Sequence, residues 1–222
     1  MKLPMLYTDE LRGFYKSKVM LFLWVGLPII TILFRFVQVA SSPGQQISFT
    51  VISSLVVSSL AGTLAAVMLA VSIINEKNRH VYELFLIRPI SRRDIMLAKF
   101  LSVYTCVAVA SFISVLVGVA ADYVTLGAFP TTVLGDIGQS LAISVSMIAV
   151  SCSAGVLIGV ASPSVLVGAI LVIYGGNQIS VIPLAPTLLG LANAALFTIG
   201  LAAAVAALLL AGAVVLFERK QF

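Results

Sequence analysis

Residues Asn75–Phe100 read NEKNRHVYELFLIRPISRRDIMLAKF, an island of charge in a chain that is otherwise almost all apolar. Glu76, Lys77, Arg79, His80, Glu83, Arg88, Arg92, Arg93, Asp94 and Lys99 fall inside it. On either side run apolar segments long enough to cross a bilayer, whose hydrocarbon core takes about 20 residues of helix. The island is therefore a connection outside the hydrocarbon.

Read as a helix, its first half has two faces. At about 100° per residue, Glu76, Arg79, His80 and Glu83 share one stripe, with Val81, Tyr82, Leu84, Phe85 and Leu86 spread over the other side. Pro89 ends that helix, and Arg88 before it is pushed toward an extended backbone. Ser91 then reads as an N-cap with Asp94 as the acidic partner of a capping box. The pattern is a short amphipathic helix, a proline turn and the start of a long helix. Two roles fit it: lying on lipid headgroups, or docking a protein outside the membrane.

The remaining composition is that of a membrane protein. The chain is 61% hydrophobic and 9% charged, where a soluble domain carries roughly 25% charged residues, and its mean hydropathy is +1.17. Six spans are expected, at about 19–40, 49–74, 100–121, 137–161, 165–182 and 188–217. Met1–Lys18 is short and basic, with Tyr7, Leu11 and Phe14 on one side and Asp9, Arg12 and Lys16 on another, as in a helix at the interface. A cleavable signal peptide is not expected, because the first apolar run follows this polar stretch and lacks a small-residue cleavage site. Pro28 is expected to bend the first span. Arg35 lies near its far end, where it can snorkel outward.

Small residues recur every four positions in three spans. Ser54, Ser58, Gly62, Ala66 and Ala70 form one ridge, Cys106, Ala110, Ser114 and Gly118 a second, and Ser151, Gly155 and Gly159 a third. Such ridges let membrane helices approach closely. Asp122–Asp136 reads as a loop and Ser162-Pro163 as a tight turn. The fifth span meets Gly175-Gly176-Asn177-Gln178 early, which predicts a short helix followed by a partly re-entrant segment through Pro183 and Pro186. Asn177, Gln178 and Asn193 are polar groups among apolar spans; lining a polar route through the membrane and capping a broken helix both fit them.

Six spans put both termini on one side, together with every basic residue except Arg35. By the positive-inside rule, the termini and the island are expected to be cytoplasmic. The net charge of +5 follows from that topology and calls for no nucleic-acid partner. No G-x-x-x-x-G-K-S/T loop occurs, so no ATP site of that kind is expected. His80 is the lone histidine, without a second ligand near it in sequence, so no metal site is expected. Cys106 and Cys152 lie in apolar spans and read as buried free thiols.

The island resembles the first cytoplasmic loop of the membrane subunits of ABC-2 transporters, which tends to read E-R-E-R-G-T-L-E-x-L-L-x-T-P-V-S-R and then x-x-I-L-L-G-K. Glu76, Arg79, Glu83, Leu86, Pro89, Ile90, Ser91, Arg92, Ile95, Leu97 and Lys99 stand at matching places without a gap. The chain departs at His80, Val81 and Tyr82, where Gly-Thr-Leu is usual, and at Arg88, where Thr is usual. The resemblance implies an all-α membrane domain over 1–222, with an N-terminal elbow helix and a coupling helix in the island. It implies an ATP-binding partner subunit contacted by Glu76, Arg79, Val81, Tyr82, Glu83, Phe85, Pro89 and Arg92. It implies further a second permease copy or paralogue paired through the first and fifth spans, export across the plasma membrane, and no cofactor on this chain. An alternative is a non-transporting regulatory or scaffold subunit of the same fold. An integral-membrane enzyme would need clustered ionisable residues within the spans, which Arg35 alone does not supply.

Overall fold

The computed structural model describes residues 3–41, 49–79, 92–126, 132–189 and 194–219. Among these there is helix and no strand. In hydrocarbon every backbone N–H and C=O must find its partner inside the segment, which leaves an apolar chain without a closed barrel only the helix. α1 is Leu3–Tyr15, α2 Lys18–Ser41, α3 Phe49–Asn78, α4 Arg92–Leu126 and α5 Thr132–Ala161. The fifth apolar segment is composite: α6 Val165–Leu171, a π-helical turn Val172–Gly176, α7 Asn177–Ser180, a 3-10 turn Ile182–Leu184 and α8 Ala185–Leu188. α9, Ala194–Arg219, closes the bundle.

α3, α4, α5, the composite segment and α9 are each long and apolar enough to cross a membrane; α1 and α2 together make a sixth candidate bent by 69°. The bend falls at Ser17, whose hydroxyl accepts from the Val19 N–H at 3.3 Å and so caps the start of α2. The sequence places α1 at the interface, and its apolar side does not face lipid alone. Leu6, Leu11 and Phe14 pack onto the core, and the Tyr7 hydroxyl meets Thr105 Oγ1 of α4 at 3.1 Å. Asp9, Arg12 and Lys16 face outward.

The tightest seam joins α3 to α5, ridge against ridge. A Cβ on Gly155 would lie 2.6 Å from the Ala66 carbonyl oxygen and 2.7 Å from Ala66 Cα; one on Gly159 would lie 3.0 Å from Ala70 Cα. Only hydrogen fits there, which is how small residues bring two membrane helices into backbone contact. The Cys106, Ala110 and Ser114 ridge of α4 is also buried and turns in part to α2. Ser114 Oγ sits 2.6 Å from Thr31 Oγ1 and 3.3 Å from the Leu27 carbonyl, beside Pro28. That proline stays within an otherwise continuous α2. Met20, Leu23, Leu27, Leu69, Ile73, Val103, Val107 and Ile148 fill the space between these helices.

Three boundaries differ from the sequence reading. The expected loop at Asp122–Asp136 is helical through Leu126 and again from Thr132, since no helix breaker stands between Asp122 and Leu126. The helix of the sixth span starts at Ala194 rather than Leu188, because Leu188 belongs to α8. The Gly175-Gly176 pair does not end the fifth helix. The coil widens into a π turn there and continues into α7, so no re-entrant segment starts at the glycines and the segment passes as one span, Val165–Thr187. The Ser91 cap, the proline turn and the amphipathic helix from His80 onward lie outside the described residues, while its first residues, Lys77 and Asn78, continue α3.

Candidate functional site: the charged end of the bundle

The two legs of the island enter the described structure at the end of α3 and the start of α4, and both are fastened to other helices. Lys99, about two turns into α4, is 2% exposed. A lysine at that depth needs its charge met, because an unpaired buried ammonium costs several kcal/mol. Two carboxylates meet it. Lys99 Nζ donates to Glu76 Oε1 of α3 at 2.6 Å and to Glu10 Oε1 of α1 at 2.8 Å. The Ser72 hydroxyl, one turn back on α3, donates to the same Glu76 oxygen at 3.2 Å. One ammonium thus ties α1, the end of α3 and the start of α4. Removing Lys99 would leave two carboxylates without their cation, a loss larger than the net value of the bridge itself.

Two further bonds extend the set. Lys77 Nζ donates to the Ser162 carbonyl at 3.3 Å, joining the end of α3 to the turn between α5 and α6. Arg93 Nε donates to Glu218 Oε1 at 2.9 Å, joining the start of α4 to the end of α9. The latter pair is exposed (67% and 41%), so it orders the surface and adds little stability. Between them, the island's legs grip α1, the α5–α6 turn and α9. Ser164 opens α6 by accepting from the Val167 N–H at 3.4 Å, so the turn that receives Lys77 is itself capped.

The residues expected to contact a partner fall into three groups. Glu76 shares a helical stripe with Arg79, yet its side chain turns into the chain to hold Lys99. Arg79 is exposed just past the end of α3, and Arg92 opens α4. Val81, Tyr82, Glu83, Phe85 and Pro89 lie outside the described residues. Of the expected pathway residues, Asn177 is half-buried, its Oδ1 accepting from Ser59 Oγ of α3 at 3.3 Å and its carbonyl from Ser180 Oγ at 2.6 Å. It does not cap a broken helix, because the helix runs through it. Gln178 is exposed, and Asn193 is outside the described residues.

Sequence reading missed Glu10. The signal was present: Tyr7, Glu10, Leu11 and Phe14 share one side of α1, so a carboxylate interrupts an apolar face, and such a group needs a buried cation. It also missed the Ser162 carbonyl, which no side-chain pattern reveals. Among the described residues no three His, Cys, Asp or Glu side chains gather as metal ligands. Cys106 and Cys152 are buried free thiols.

A helical membrane domain with small-residue seams, with Glu10, Glu76, Lys77, Arg93, Lys99 and Glu218 in bonds between its helices at the ends of α3 and α4, defines a multi-pass membrane subunit and not a soluble or barrel protein. Residues 6–195 match the family described as ABC-2 family transporter protein, and the chain belongs to that family. A comparison with curated proteins finds no match. The chain is therefore a membrane-embedded permease of an ABC transporter, from a family whose transmembrane subunits are typically non-catalytic and work with an ATP-binding subunit.

Proposed function

We propose that the chain is the coupling permease of an ATP-driven exporter, inserted in the plasma membrane with both termini and the charged end in the cytoplasm. It pairs with a second copy or a paralogue, binds no cofactor of its own, and leaves ATP to the partner subunit. The loop over 80–91 is the docking element, its helix is the amphipathic stretch Lys77–Leu86, and Tyr82 and Phe85 are its apolar anchors, since aromatic residues commonly dominate binding at protein interfaces. What carries this reading is the fastening of both legs of that segment: Glu76 and Lys99 to each other and to Glu10, Lys77 to Ser162, Arg93 to Glu218. A push on the loop then reaches α1, α3, α4, the α5–α6 turn and α9 together. The permease pair, opening alternately inward and outward, is the two-state element that nucleotide binding biases.

The test is the double substitution Tyr82→Asp, Phe85→Asp. Placing two carboxylates against an apolar partner surface costs several kcal/mol, while the spans are held by seams remote from the loop. The variant should insert and melt like the parent and lose the copurifying ATPase at least tenfold. Normal ATPase recovery, or loss of the membrane fold with recovery intact, would contradict the docking role.

A further inference from the structure

The described glycines are of two kinds, tightly faced and open. Gly62, Gly155, Gly159 and Gly168 sit where a Cβ would come within 2.5 to 3.0 Å of a neighbouring atom. Gly175 has nothing within 4 Å of a Cβ position, and Gly176 would meet only Val172 Cγ1 at 3.6 Å and Ile158 Cδ1 at 3.9 Å, which is ordinary contact. Neither needs a positive φ; Gly176 is helical at φ −61° and ψ −39°. Packing and backbone handedness both leave the pair unexplained, and in a helix each glycine costs about 1 kcal/mol against alanine.

What the pair does occupy is the π turn. The Asn177 N–H bonds to the Val172 carbonyl five residues back, one residue wider than an α turn, a feature that frequently marks functional sites in helices. An extra residue leaves everything downstream about 100° behind an uninterrupted α-helix. The turn is held on α3 from both sides. Val172 is buried with Ala66 and Ala70, and Asn177 accepts from Ser59. Two adjacent glycines at the widened coil are the composition that lets the backbone re-form its ladder either way.

We propose that Val172–Gly176 is a register switch in the fifth span, alternating between the π turn and a plain α-helix. In the α register, position 176 replaces Asn177 opposite Ser59, and Asn177 and Gln178 swing about 100° around the helix axis. The polar pair thereby changes partners while α6 stays on α3 through Val172. As a step in a transport cycle the switch rests on the permease reading; as a property of the fold it does not.

The experiment is oxidative cross-linking of the full chain in membranes, with Cys106 and Cys152 replaced by alanine. Ser59→Cys is combined in turn with Asn177→Cys, Gly176→Cys or Gln178→Cys. The 59–177 pair reports the π register, the 59–176 pair the α register, and 59–178 faces Ser59 in neither. Both reporting pairs should form at least tenfold faster than the 59–178 control; a 59–176 rate no higher than the control overturns the switch. Deleting Gly175 removes the extra residue and leaves Asn177 opposite Ser59 in a plain α-helix. In that background the 59–176 pair should fall to the control rate while 59–177 remains. Persistence of both pairs after the deletion would mean general mobility and would overturn the switch equally. If the deletion prevents folding, the three pairs in the undeleted chain still decide. No ATPase is needed for the cross-links, so failure of the switch leaves the permease reading standing, and failure of ATPase copurification leaves the cross-links readable.

Discussion

The α3–α5 seam and the fifth span are both built from small and apolar residues, and they hold together in opposite ways. The α3 and α5 spans are 56% and 67% buried, while the composite fifth span and α9 are 22% and 17% buried. In the seam Gly155 and Gly159 are dictated by the backbone facing them and Gly62 by the Ser151 side chain; in the fifth span Gly175 and Gly176 face little or nothing. A transporter needs both kinds of part, since packed regions change by discrete rearrangement and loosely held ones supply the movement. The charged end belongs with the seam: Lys99 is as buried as any core side chain and fixes the end of α3 against α4 and α1.

Substitutions that fill the seam should therefore do the most harm. Gly155→Leu drives a side chain into the Ala66 backbone, which cannot swing aside. Overpacking a tight core costs about 1–3 kcal/mol and at times more; with backbone as the obstacle a cost clearly above about 3 kcal/mol is expected, seen as a large fall in melting temperature and yield in detergent. Lys99→Met comes next. It strips two carboxylates of their cation, and breaking a buried pair costs about 3–5 kcal/mol. The lower end is expected because Glu10 and Glu76 are each about a quarter exposed. Adding Glu10→Gln and Glu76→Gln should restore much of the loss, whereas a purely steric role for Lys99 would leave the triple variant as weak as the single. Smallest is Gly175→Ala, which meets no neighbour and should raise stability by up to about 1 kcal/mol, the helix cost of glycine against alanine. A marked loss there would erase the distinction between the two regions.

Much of this was legible in the residues. The apolar runs and the charged island define the spans, and the four-residue spacing of Gly62, Ala66, Ala70 and of Ser151, Gly155, Gly159 marks two packing ridges. Which ridge meets which was not legible, because it depends on how distant helices are ordered in the bundle. Glycine and proline misled in the composite segment. Propensity treats Gly175-Gly176 as a stop, yet an apolar helix at membrane depth has no water to take its freed backbone groups, so it widens and continues. Asp122 misled in the other direction, since one acidic residue near a helix end does not break a helix. At the charged end Lys99 stood out by its place in the island, but Glu10 and the Ser162 carbonyl are contacts across 89 and 85 positions of chain, beyond any local pattern.

The coupling proposed for the charged end requires that movement at the 80–91 loop pass into the membrane helices through the Lys99 bridge. The direct measurement places a spin label at Val124, exposed at the far end of α4, in permease pairs purified with their ATPase, and reads the label-to-label distance with and without trapped ATP. In the parent the distance distribution should shift on trapping. In Lys99→Met, studied below its melting temperature and with the ATPase bound in equal amount, the shift should be lost. A Lys99→Met complex that shifts like the parent would contradict the coupling role of the charged end.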